Sequence, residues 1–477
     1  MVVGEMVQER ELIIIGGGPG GYHAAIRAAQ LGLEVTLIEK EQLGGVCLNK
    51  GCIPSKIYAH AAHMWQKAQQ QTHLGIPVPQ EPYQFANLAA HRETVMTRLR
   101  EGVSQLCQAQ KIEVVTGEAS FLAEDRIGVT SGHQFDVYRF KQAIIATGQR
   151  PDNVTDALAG VALTAHTLFM QEEIPPSLIV IGQDVIALEA AFSYQALGSE
   201  VTLFVETPLS LEDSLEKELW RAAKKAGMRV VKDAAIATLD AQSSGITLTY
   251  EKGGKHTTIE AARLYEADLW RANTDNLGLE RLGITTDERG YIEVDQALKT
   301  SSPSIWAIGD VIQGAVHLAT NAIKQATVVA GQIAKQPTEW DETFIPRVYR
   351  TIPPMATVGW TSAEATQAGR EVVVSTTPFR SNGYATLSNE NDGHCTLVKD
   401  ADTDELLGMH VIGEGAAELI TMGTLGLEMV ARDEDIRFPL YPHPSYAEVV
   451  METADGWLDQ TIHQPPKKKR PKKQVTT

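Results

Sequence analysis

Residues 11–21 read Glu-Leu-Ile-Ile-Ile-Gly-Gly-Gly-Pro-Gly-Gly, and this stretch decides the fold of the amino-terminal part of the chain. The apolar run predicts a buried strand, the glycines predict a tight turn, and the alanine-rich residues 22–31 predict a helix. A second apolar strand follows and ends at the acidic Glu39. Strand, glycine turn, helix, strand and acid at these spacings are typical of a dinucleotide-binding βαβ unit.

The glycines and the acid of this unit have separate expected roles. Gly16 makes the turn, Gly18 lets the backbone approach a pyrophosphate, and Gly21 lets the helix pack on the strand. Gly20 belongs to the same first turn, so the phosphates are expected at a helix N-terminus. Glu39 is expected to accept a hydrogen bond from a ribose hydroxyl.

Two cysteines follow this unit directly. Residues 44–56 read Gly-Gly-Val-Cys-Leu-Asn-Lys-Gly-Cys-Ile-Pro-Ser-Lys, so four residues separate Cys47 from Cys52. A proline is tolerated in a first helical turn, and a helix N-terminus stabilises a thiolate. The pattern therefore predicts redox chemistry at this pair. The alternatives are two unrelated buried cysteines or half of a metal site, but the sequence has no second close Cys or His cluster to complete a zinc site, and we predict no metal.

The cysteine segment resembles the redox-active segment of the flavin-dependent pyridine nucleotide-disulfide oxidoreductases. Its Ile-Pro-Ser-Lys ending is most similar to that of the dihydrolipoamide dehydrogenases, and further matches run from about residue 12 to about residue 457. The resemblance implies FAD as cofactor, a disulfide between Cys47 and Cys52 in the oxidised protein, and oxidation of dihydrolipoyl groups. It also implies that Lys56 pairs with Glu189 beside the flavin.

The resemblance implies further flavin contacts after two apolar strands, residues 142–146 and 304–308. The residues concerned are Thr147, Gly148, Asp310, Leu318 and Ala319. In the family, the aspartate at this position accepts a hydrogen bond from the ribityl chain of the flavin.

A second dinucleotide-binding pattern spans residues 177–206, with Gly182 and Glu206 as its expected nucleotide contacts. Its glycine fingerprint is incomplete. Ala187 at the third position is an accepted variant, but Asp184 stands at the second position, where its carboxylate would face a pyrophosphate. Such a like-charge contact costs on the order of a few kcal/mol at an effective dielectric constant of about 20.

A second departure lies in residues 264–272, which align with a buried strand of the family that ends in glycine. Leu269 replaces that glycine, and Glu266 and Asp268 interrupt the apolar pattern. Two interpretations stay open. Binding of NAD is weakened, lost or replaced, or Glu206 still supports NAD in a remodelled site, so the electron acceptor is NAD or another carrier.

Residues 441–448 read Tyr-Pro-His-Pro-Ser-Tyr-Ala-Glu and resemble the catalytic His-Pro segment of the family. His443 is suited to accept a thiol proton near neutral pH, and Glu448 is suited to fix its tautomer. A purely structural histidine before proline is the alternative. In the family this histidine comes from the partner subunit, which implies a homodimer.

The predicted fold class is α/β, with two doubly wound dinucleotide-binding domains and an α+β carboxy-terminal dimerisation domain. Residues 91–110 have the pattern of a charged helix within the first of them. The expected divisions are an FAD-binding domain with the redox disulfide (1–150), an NAD-binding-like domain (151–274), a central domain that completes the FAD site (275–344), an interface domain (345–463) and a basic disordered tail (464–477).

Composition restricts the partners. The net charge of -18 argues against nucleic acid, and four cysteines in 477 residues indicate a catalytic rather than a structural disulfide. With no signal-peptide pattern and no apolar stretch of membrane-spanning length, a cytoplasmic or organellar-matrix protein is expected. The expected substrate is a lipoyl-bearing protein or a small dithiol, and the alternative function is a flavin-bound structural or binding subunit with impaired NAD use.

Overall fold

The computed structural model describes residues 7–152, 158, 160–242, 245–267 and 270–465. Predictions that concern Asp268, Leu269 and residues 466–477 of the basic tail lie outside the described residues. The chain divides into two compact units, one formed by residues up to 204 with 233–342, and the other by residues 205–232 with 343 onwards. The finer division into five segments stays a prediction.

The elements of the chain up to residue 205 are β1 (Val7–Ile15), α1 (Pro19–Gln30), β2 (Val35–Glu39), α2 (Gly45–Asn49), α3 (Cys52–Gln70), α4 (Phe85–Ala109), β3 (Glu113–Thr116), β4 (Glu118–Ala123), β5 (Arg126–Ser131), β6 (Gln134–Ile145), β7 (Gln149–Pro151), β8 (Ala162–Leu163), β9 (Ser177–Ile181), α5 (Val185–Leu197) and β10 (Glu200–Val205). The next segment contributes α6 (Asp213–Lys225) and β11 (Arg229–Lys232) to the second unit.

The first unit then continues with β12 (Ala235–Gln242), β13 (Gly245–Lys252), β14 (Lys255–Ala261), β15 (Arg263–Glu266), β16 (Trp270–Ala272), β17 (Ile305–Ala307) and α7 (Ala319–Ile333). The second unit ends with β18 (Arg347–Tyr349), β19 (Met355–Gly359), α8 (Ser362–Gln367), β20 (Val372–Pro378), α9 (Gly383–Leu387), β21 (His394–Asp400), β22 (Leu406–Ile412), α10 (Ala416–Glu428), α11 (Asp433–Arg437) and α12 (Glu448–Asp455).

The largest sheet of the first unit has the order β3-β2-β1-β6-β5-β4, and β17 also pairs with β6. Strands β1, β2, β3, β6 and β17 are parallel, whereas β4 and β5 join antiparallel. In β1 the residues from Leu12 to Ile15 are all buried, as expected for a parallel strand covered on both faces. Ile15 lies opposite Ile38 and Ile145, so the carboxyl ends of three strands meet where Gly16 begins the turn.

A second parallel sheet in the same unit contains β10-β9-β15-β8 in that order. Helix α5 follows β9 and packs against it and against α3. Strands β12, β13 and β14 form a separate antiparallel sheet, and β7 pairs with β16. The two strand-helix-strand repeats confirm the predicted pair of dinucleotide-binding folds.

The second unit is built on an antiparallel sheet of order β18-β19-β22-β21-β20. Helix α10 packs on β19 and β22, and α12 packs on β20 and β21. The core between them contains Leu397, Met409, Ile420 and Val450. This arrangement agrees with the predicted α+β carboxy-terminal domain.

The predicted boundary of the charged helix was wrong. Helix α4 begins at Phe85, six residues before the predicted start at residue 91. Its first turns are held by Arg92, whose side chain is 1% exposed and donates hydrogen bonds to the carbonyl oxygens of Phe169 and Gln171.

None of the helices formed by the described residues combines the length and the apolar composition that crossing a membrane requires.

Candidate active site

Cys47 and Cys52 lie on two successive helices. Cys47 is in the middle of the short α2, and Cys52 is the first residue of α3. Gly45 has a φ of +55° and packs so closely on the first dinucleotide turn that a Cβ there would lie 2.6 Å from the Cα of Gly18. A side chain at this position would force the cysteine segment away from the turn. The glycine therefore fixes the thiols beside the predicted flavin site.

Cys47 and Cys52 are both partly buried. A hydrogen bond between them lowers the pKa of Cys52, a direction opposed by burial and reinforced by Lys56. The same hydrogen bond, together with burial, raises the pKa of Cys47. Both directions favour ionisation of Cys52 before Cys47.

Lys56 and Glu189 form an ion pair between α3 and α5, with 2.8 Å between Nζ and Oε2. The Glu189 side chain is 1% exposed, whereas the Lys56 side chain is 42% exposed. Lys56 follows Cys52 by one helical turn, which places the two side chains on the same face of α3. The structure thus brings together the two residues that the sequence predicted to pair.

The first dinucleotide turn is held by close backbone contacts. Gly16 has a φ of +103°, and a Cβ there would lie 2.3 Å from the carbonyl oxygen of Ala146. A Cβ on Gly21 would lie 1.7 Å from the carbonyl oxygen of Gly16, so α1 can pack on β1 only with glycine there. Gly18 is the N-cap of α1 without a side-chain hydrogen bond, which leaves the helix amides open to an anion.

Gly20 and Glu39, the two other predicted contacts of this turn, also interact with neighbouring residues of the protein. Gly20 faces inward, where its Cβ position lies 3.4 Å from Ile308 Cδ1, so it serves packing. The Glu39 carboxylate accepts hydrogen bonds from the Gly17 and Glu41 amides at 2.6 and 2.7 Å. These two bonds fix the carboxylate at the end of β2, where its remaining lone pairs are available to a ribose hydroxyl.

The strand ends opposite this turn carry the remaining predicted flavin contacts. Thr147 Oγ1 is buried and has no hydrogen-bond partner among the described residues, and Gly148 follows with a φ of +68°. Burial raises the pKa of the Asp310 carboxyl, with His317 acting in the opposite direction. Asp310 lies in the 3₁₀ turn Gly309–Val311 after β17. A buried hydroxyl and a partly buried carboxyl group at one sheet edge fit the hydroxyl-rich chain of a flavin dinucleotide.

Leu318 is the N-cap of α7 and Ala319 is its first residue, so both open the helix as predicted. Helix α7 packs against α1, which carries the glycine turn. The backbone amides at the start of α7 therefore belong to the same unit as the other predicted flavin contacts.

The second dinucleotide turn keeps the backbone of the first but not its open helix end. Gly182 has a φ of +124°, and a Cβ there would lie 2.4 Å from Ala267 Cβ. Asp184 is the N-cap of α5, and its Oδ1 accepts a hydrogen bond from the Ala187 amide at 2.7 Å. Glu206 follows β10 and is exposed. The predicted departure at Asp184 is therefore a helix cap.

In the second unit, His443 and Glu448 form a hydrogen-bonded pair, with 2.8 Å between Nδ1 and Oε1. The other Glu448 oxygen accepts from the Ser445 amide at 2.9 Å. Partial burial raises the pKa of Glu448, but the hydrogen bonds from His443 and Ser445 outweigh it, and the net pKa is lowered. A carboxylate can only accept, so Nδ1 carries the hydrogen and Nε2 is left as a proton acceptor.

Comparison with known proteins agrees with this geometry. The model of the pyridine nucleotide-disulphide oxidoreductase family matches residues 10–326, and the model of its dimerisation domain matches residues 345–454. The chain belongs to this family. It is 38% identical over 467 residues to a dihydrolipoyl dehydrogenase of Geobacillus stearothermophilus, covering 97% of this chain and 99% of the relative. It is 35% identical to that of Bacillus subtilis, covering 97% and 99% of the two chains.

Solved structures share the fold. LpdA from Mycobacterium tuberculosis superposes with a TM-score of 0.86 at 23% identity, covering 94% of this chain and 99% of that one. The flavoprotein disulfide reductase RclA from Escherichia coli gives a TM-score of 0.84 at 22% identity, covering 94% and 99%.

Membership of the pyridine nucleotide-disulphide oxidoreductases confirms the predicted class of protein. The protein is a flavin-dependent disulfide oxidoreductase resembling dihydrolipoamide dehydrogenase, and FAD is its cofactor. A dimerisation domain is present, as expected for a homodimer. These findings favour the enzyme over the flavin-bound structural subunit. The roles of individual site residues stay predictions.

Sequence reasoning missed several residues beside the predicted flavin site of this oxidoreductase. A cavity of about 520 Å³ opens next to the end of β2, where Gly117 donates its amide hydrogen to the Glu39 carbonyl oxygen at 3.0 Å. Its lining includes Lys40, Glu41, Thr116, Gly117 and Ser131. A glycine directly after β3 was the available signal.

Proposed function

We propose that this protein oxidises dihydrolipoyl groups, with Cys47 and Cys52 exchanging between disulfide and dithiol. The observation that supports this most directly is the placement of Cys47 on α2 and of Cys52 at the start of α3, one helical turn before Lys56. A pair of this kind exchanges disulfides with a dithiol substrate. The full-length similarity to dihydrolipoyl dehydrogenases supports the same substrate class.

The exchange starts from the oxidised pair. One substrate thiolate attacks the Cys47 sulfur, forms a mixed disulfide and releases Cys52 as a thiolate. The second substrate thiol then attacks the substrate sulfur of the mixed disulfide, closes the lipoyl disulfide and releases Cys47. The substrate loses two electrons and two protons, and the cysteine pair gains the electrons. The lowered pKa of Cys52 makes it the better leaving group.

We propose that His443 of the partner subunit removes the substrate protons in this exchange. Its Nε2 is the free acceptor, because the Nδ1 hydrogen is engaged by Glu448. Glu448 is therefore a positioning residue that holds the tautomer. The lowered pKa of Glu448 keeps its carboxylate charged near neutral pH.

FAD, when bound, supplies the two-electron acceptor that returns Cys47 and Cys52 to the disulfide. The open amides of α1, Glu39, Thr147 and Asp310 are the residues that would hold it. Lys56 and Glu189 fix the position of α3 relative to α5. This ion pair holds the Cys52 sulfur in a fixed position beside the proposed FAD site.

A lipoyl-bearing protein is the proposed macromolecular substrate, and a homodimer is the proposed active form. Phe438 and Leu440, shortly before His443, are 90% and 100% exposed in the single chain. Apolar side chains exposed to this degree support burial against a second copy. The cytoplasmic location stays a prediction.

An anaerobic titration of the FAD-loaded protein with dihydrolipoamide tests the proposal. We expect the first equivalent of dithiol to open the disulfide, which gives two alkylatable thiols, at Cys47 and Cys52, by mass spectrometry. Bleaching of the flavin absorbance needs the two electrons of a second equivalent. A matched titration with a monothiol of similar size should give much slower bleaching. A protein that binds FAD but is not reduced by the dithiol would contradict the proposal and support a binding subunit.

A further inference from the structure

The N-termini of α1 and α5 follow the same backbone path but differ in what occupies them. Gly18, the N-cap of α1, has φ -71° and ψ -176°, and Asp184, the N-cap of α5, has φ -69° and ψ 177°. A Cβ on Gly18 would meet nothing closer than the Gly45 Cα at 3.8 Å. The first helix end is therefore open, as an anion-binding helix end must be.

In α5 the same position is filled by the side chain of the N-cap itself. The Asp184 carboxylate accepts the Ala187 amide hydrogen at 2.7 Å, which is the ordinary bond of an aspartate N-cap. A pyrophosphate at this helix end would lose that donor and would meet a negative charge. Both effects act against the same ligand group.

The backbone of the turn itself keeps the geometry of the fold. Gly182 keeps its positive φ and its tight contact with Ala267, and its amide donates to the Phe204 carbonyl oxygen at 3.0 Å. Helix α5 also carries Glu189, the buried partner of Lys56. A cap on α5 thus stabilises the helix that supports the redox segment, while it occupies the helix end that a nucleotide needs.

We infer that Asp184 is a specificity-determining residue that excludes a dinucleotide pyrophosphate from the N-terminus of α5 and so makes NAD a poor electron acceptor. The statement that NAD is a poor electron acceptor rests on the proposed function, because it assumes that electrons flow from the dithiol through FAD. The binding of NAD to the oxidised protein is independent of dithiol chemistry. Failure of the dithiol titration would therefore leave this inference untouched.

Direct binding measures the effect. Isothermal titration of the FAD-loaded, oxidised protein with NAD should give weak binding for the parent chain and about 10²-fold tighter binding for Asp184→Gly, the scale of one like-charge contact. Asp184→Asn keeps a capping oxygen without the charge, so it should gain only part of that factor. Glycine is itself tolerated at N-caps, and thermal denaturation checks that the variant is folded.

Thr361→Gly provides a matched control. Thr361 caps α8 in the second unit with the same kind of side-chain hydrogen bond, to the Glu364 amide at 3.1 Å. Thr361→Gly should lower the melting temperature only slightly, because glycine is tolerated at N-caps, and should leave the affinity for NAD unchanged. Stopped-flow mixing of the dithiol-reduced protein with NAD measures the rate of flavin reoxidation. The variants should rank in this rate as they do in their affinity for NAD. Micromolar affinity in the parent chain, or no gain in Asp184→Gly, would overturn the inference.

Discussion

Replacing Lys56 with methionine tests the ion pair that joins the redox helix to α5. The change keeps most of the aliphatic side chain and removes the ammonium group that lies 2.8 Å from Glu189 Oε2. The carboxylate stays buried at 1% exposure and loses this partner. We expect both the stability of the protein and the titration of Cys52 to respond.

The magnitude follows from the burial of the two partners. Removing one partner of a fully buried pair costs about 3–5 kcal/mol. Lys56 is 42% exposed, so part of its charge is hydrated already and the cost is smaller. A hydrogen bond to a charged group is worth roughly 1.5–3 kcal/mol. We therefore expect the free energy of unfolding to fall by about 2 kcal/mol, which for a chain of 477 residues corresponds to roughly 2 °C in Tm.

A double-mutant cycle separates the pair from its surroundings. Lys56→Met, Glu189→Leu and the double variant are compared by urea unfolding of the FAD-loaded protein. Each single variant should be destabilised, and the double variant should recover most of the loss, because an apolar replacement of a buried pair is often near neutral. Additive losses in the double variant would refute an energetic coupling between Lys56 and Glu189.

Changes at the same two positions shift the pKa of the Cys52 thiol in opposite directions. Lys56 lowers the pKa of Cys52 and Glu189 raises it. Lys56→Met should therefore raise this pKa, and Glu189→Gln should lower it. The rate at which iodoacetamide alkylates the reduced pair, measured against pH, reports the fraction of thiolate. At a fixed pH below the parent pKa, Lys56→Met should react more slowly than the parent protein and Glu189→Gln should react faster. A shift of the same sign in both would refute the electrostatic reasoning.

Three further predictions concern the thiols, the base and the residue that positions the base. Cys52→Ser should retain FAD but should no longer be reduced by dihydrolipoamide. It should also lose the long-wavelength absorbance of a thiolate beside flavin. Persistence of that band would identify Cys47 as the flavin-facing thiol. His443→Gln should slow reduction by dihydrolipoamide about 10²-fold or more in stopped-flow traces, the usual effect of a lost general base, at unchanged FAD content. Glu448→Gln should also slow reduction by dihydrolipoamide. An unaltered reduction rate in His443→Gln would remove the histidine from the mechanism.

The features that the sequence predicted correctly are those written in short-range patterns. The first turn needed glycine at residues 16 and 21 because a Cβ at either would lie within 2.3 Å of a backbone oxygen, and such contacts are set by neighbouring residues. The pairing of Lys56 with Glu189 was predictable only from the resemblance, because 133 positions separate the two residues.

Other features depend on contacts that no local pattern contains. Arg92 looks like a surface residue of a charged helix, yet it is buried because the Phe169 and Gln171 carbonyl oxygens, far along the chain, accept its hydrogen bonds. The helix start at Phe85 was missed for a related reason, since its first turns are stabilised by this long-range packing rather than by a side-chain cap. Asp184 was recognised as a departure, but its role as a cap depends on the rotamer that the structure supplies.

Three helix N-termini of the first unit show how one physical feature serves three purposes. Each presents amide hydrogens and the positive end of a helix dipole, which favour negative charge. Helix α3 begins at the Cys52 thiolate, α5 begins with the Asp184 carboxylate, and α1 begins with a glycine that adds no side chain. The first stabilises a reactive sulfur and the second stabilises a supporting helix. Of these three helix ends, only that of α1 is left open for phosphate. The N-cap and the first helical residue together therefore decide whether a helix end holds a ligand, a thiol or the side chain of its own cap.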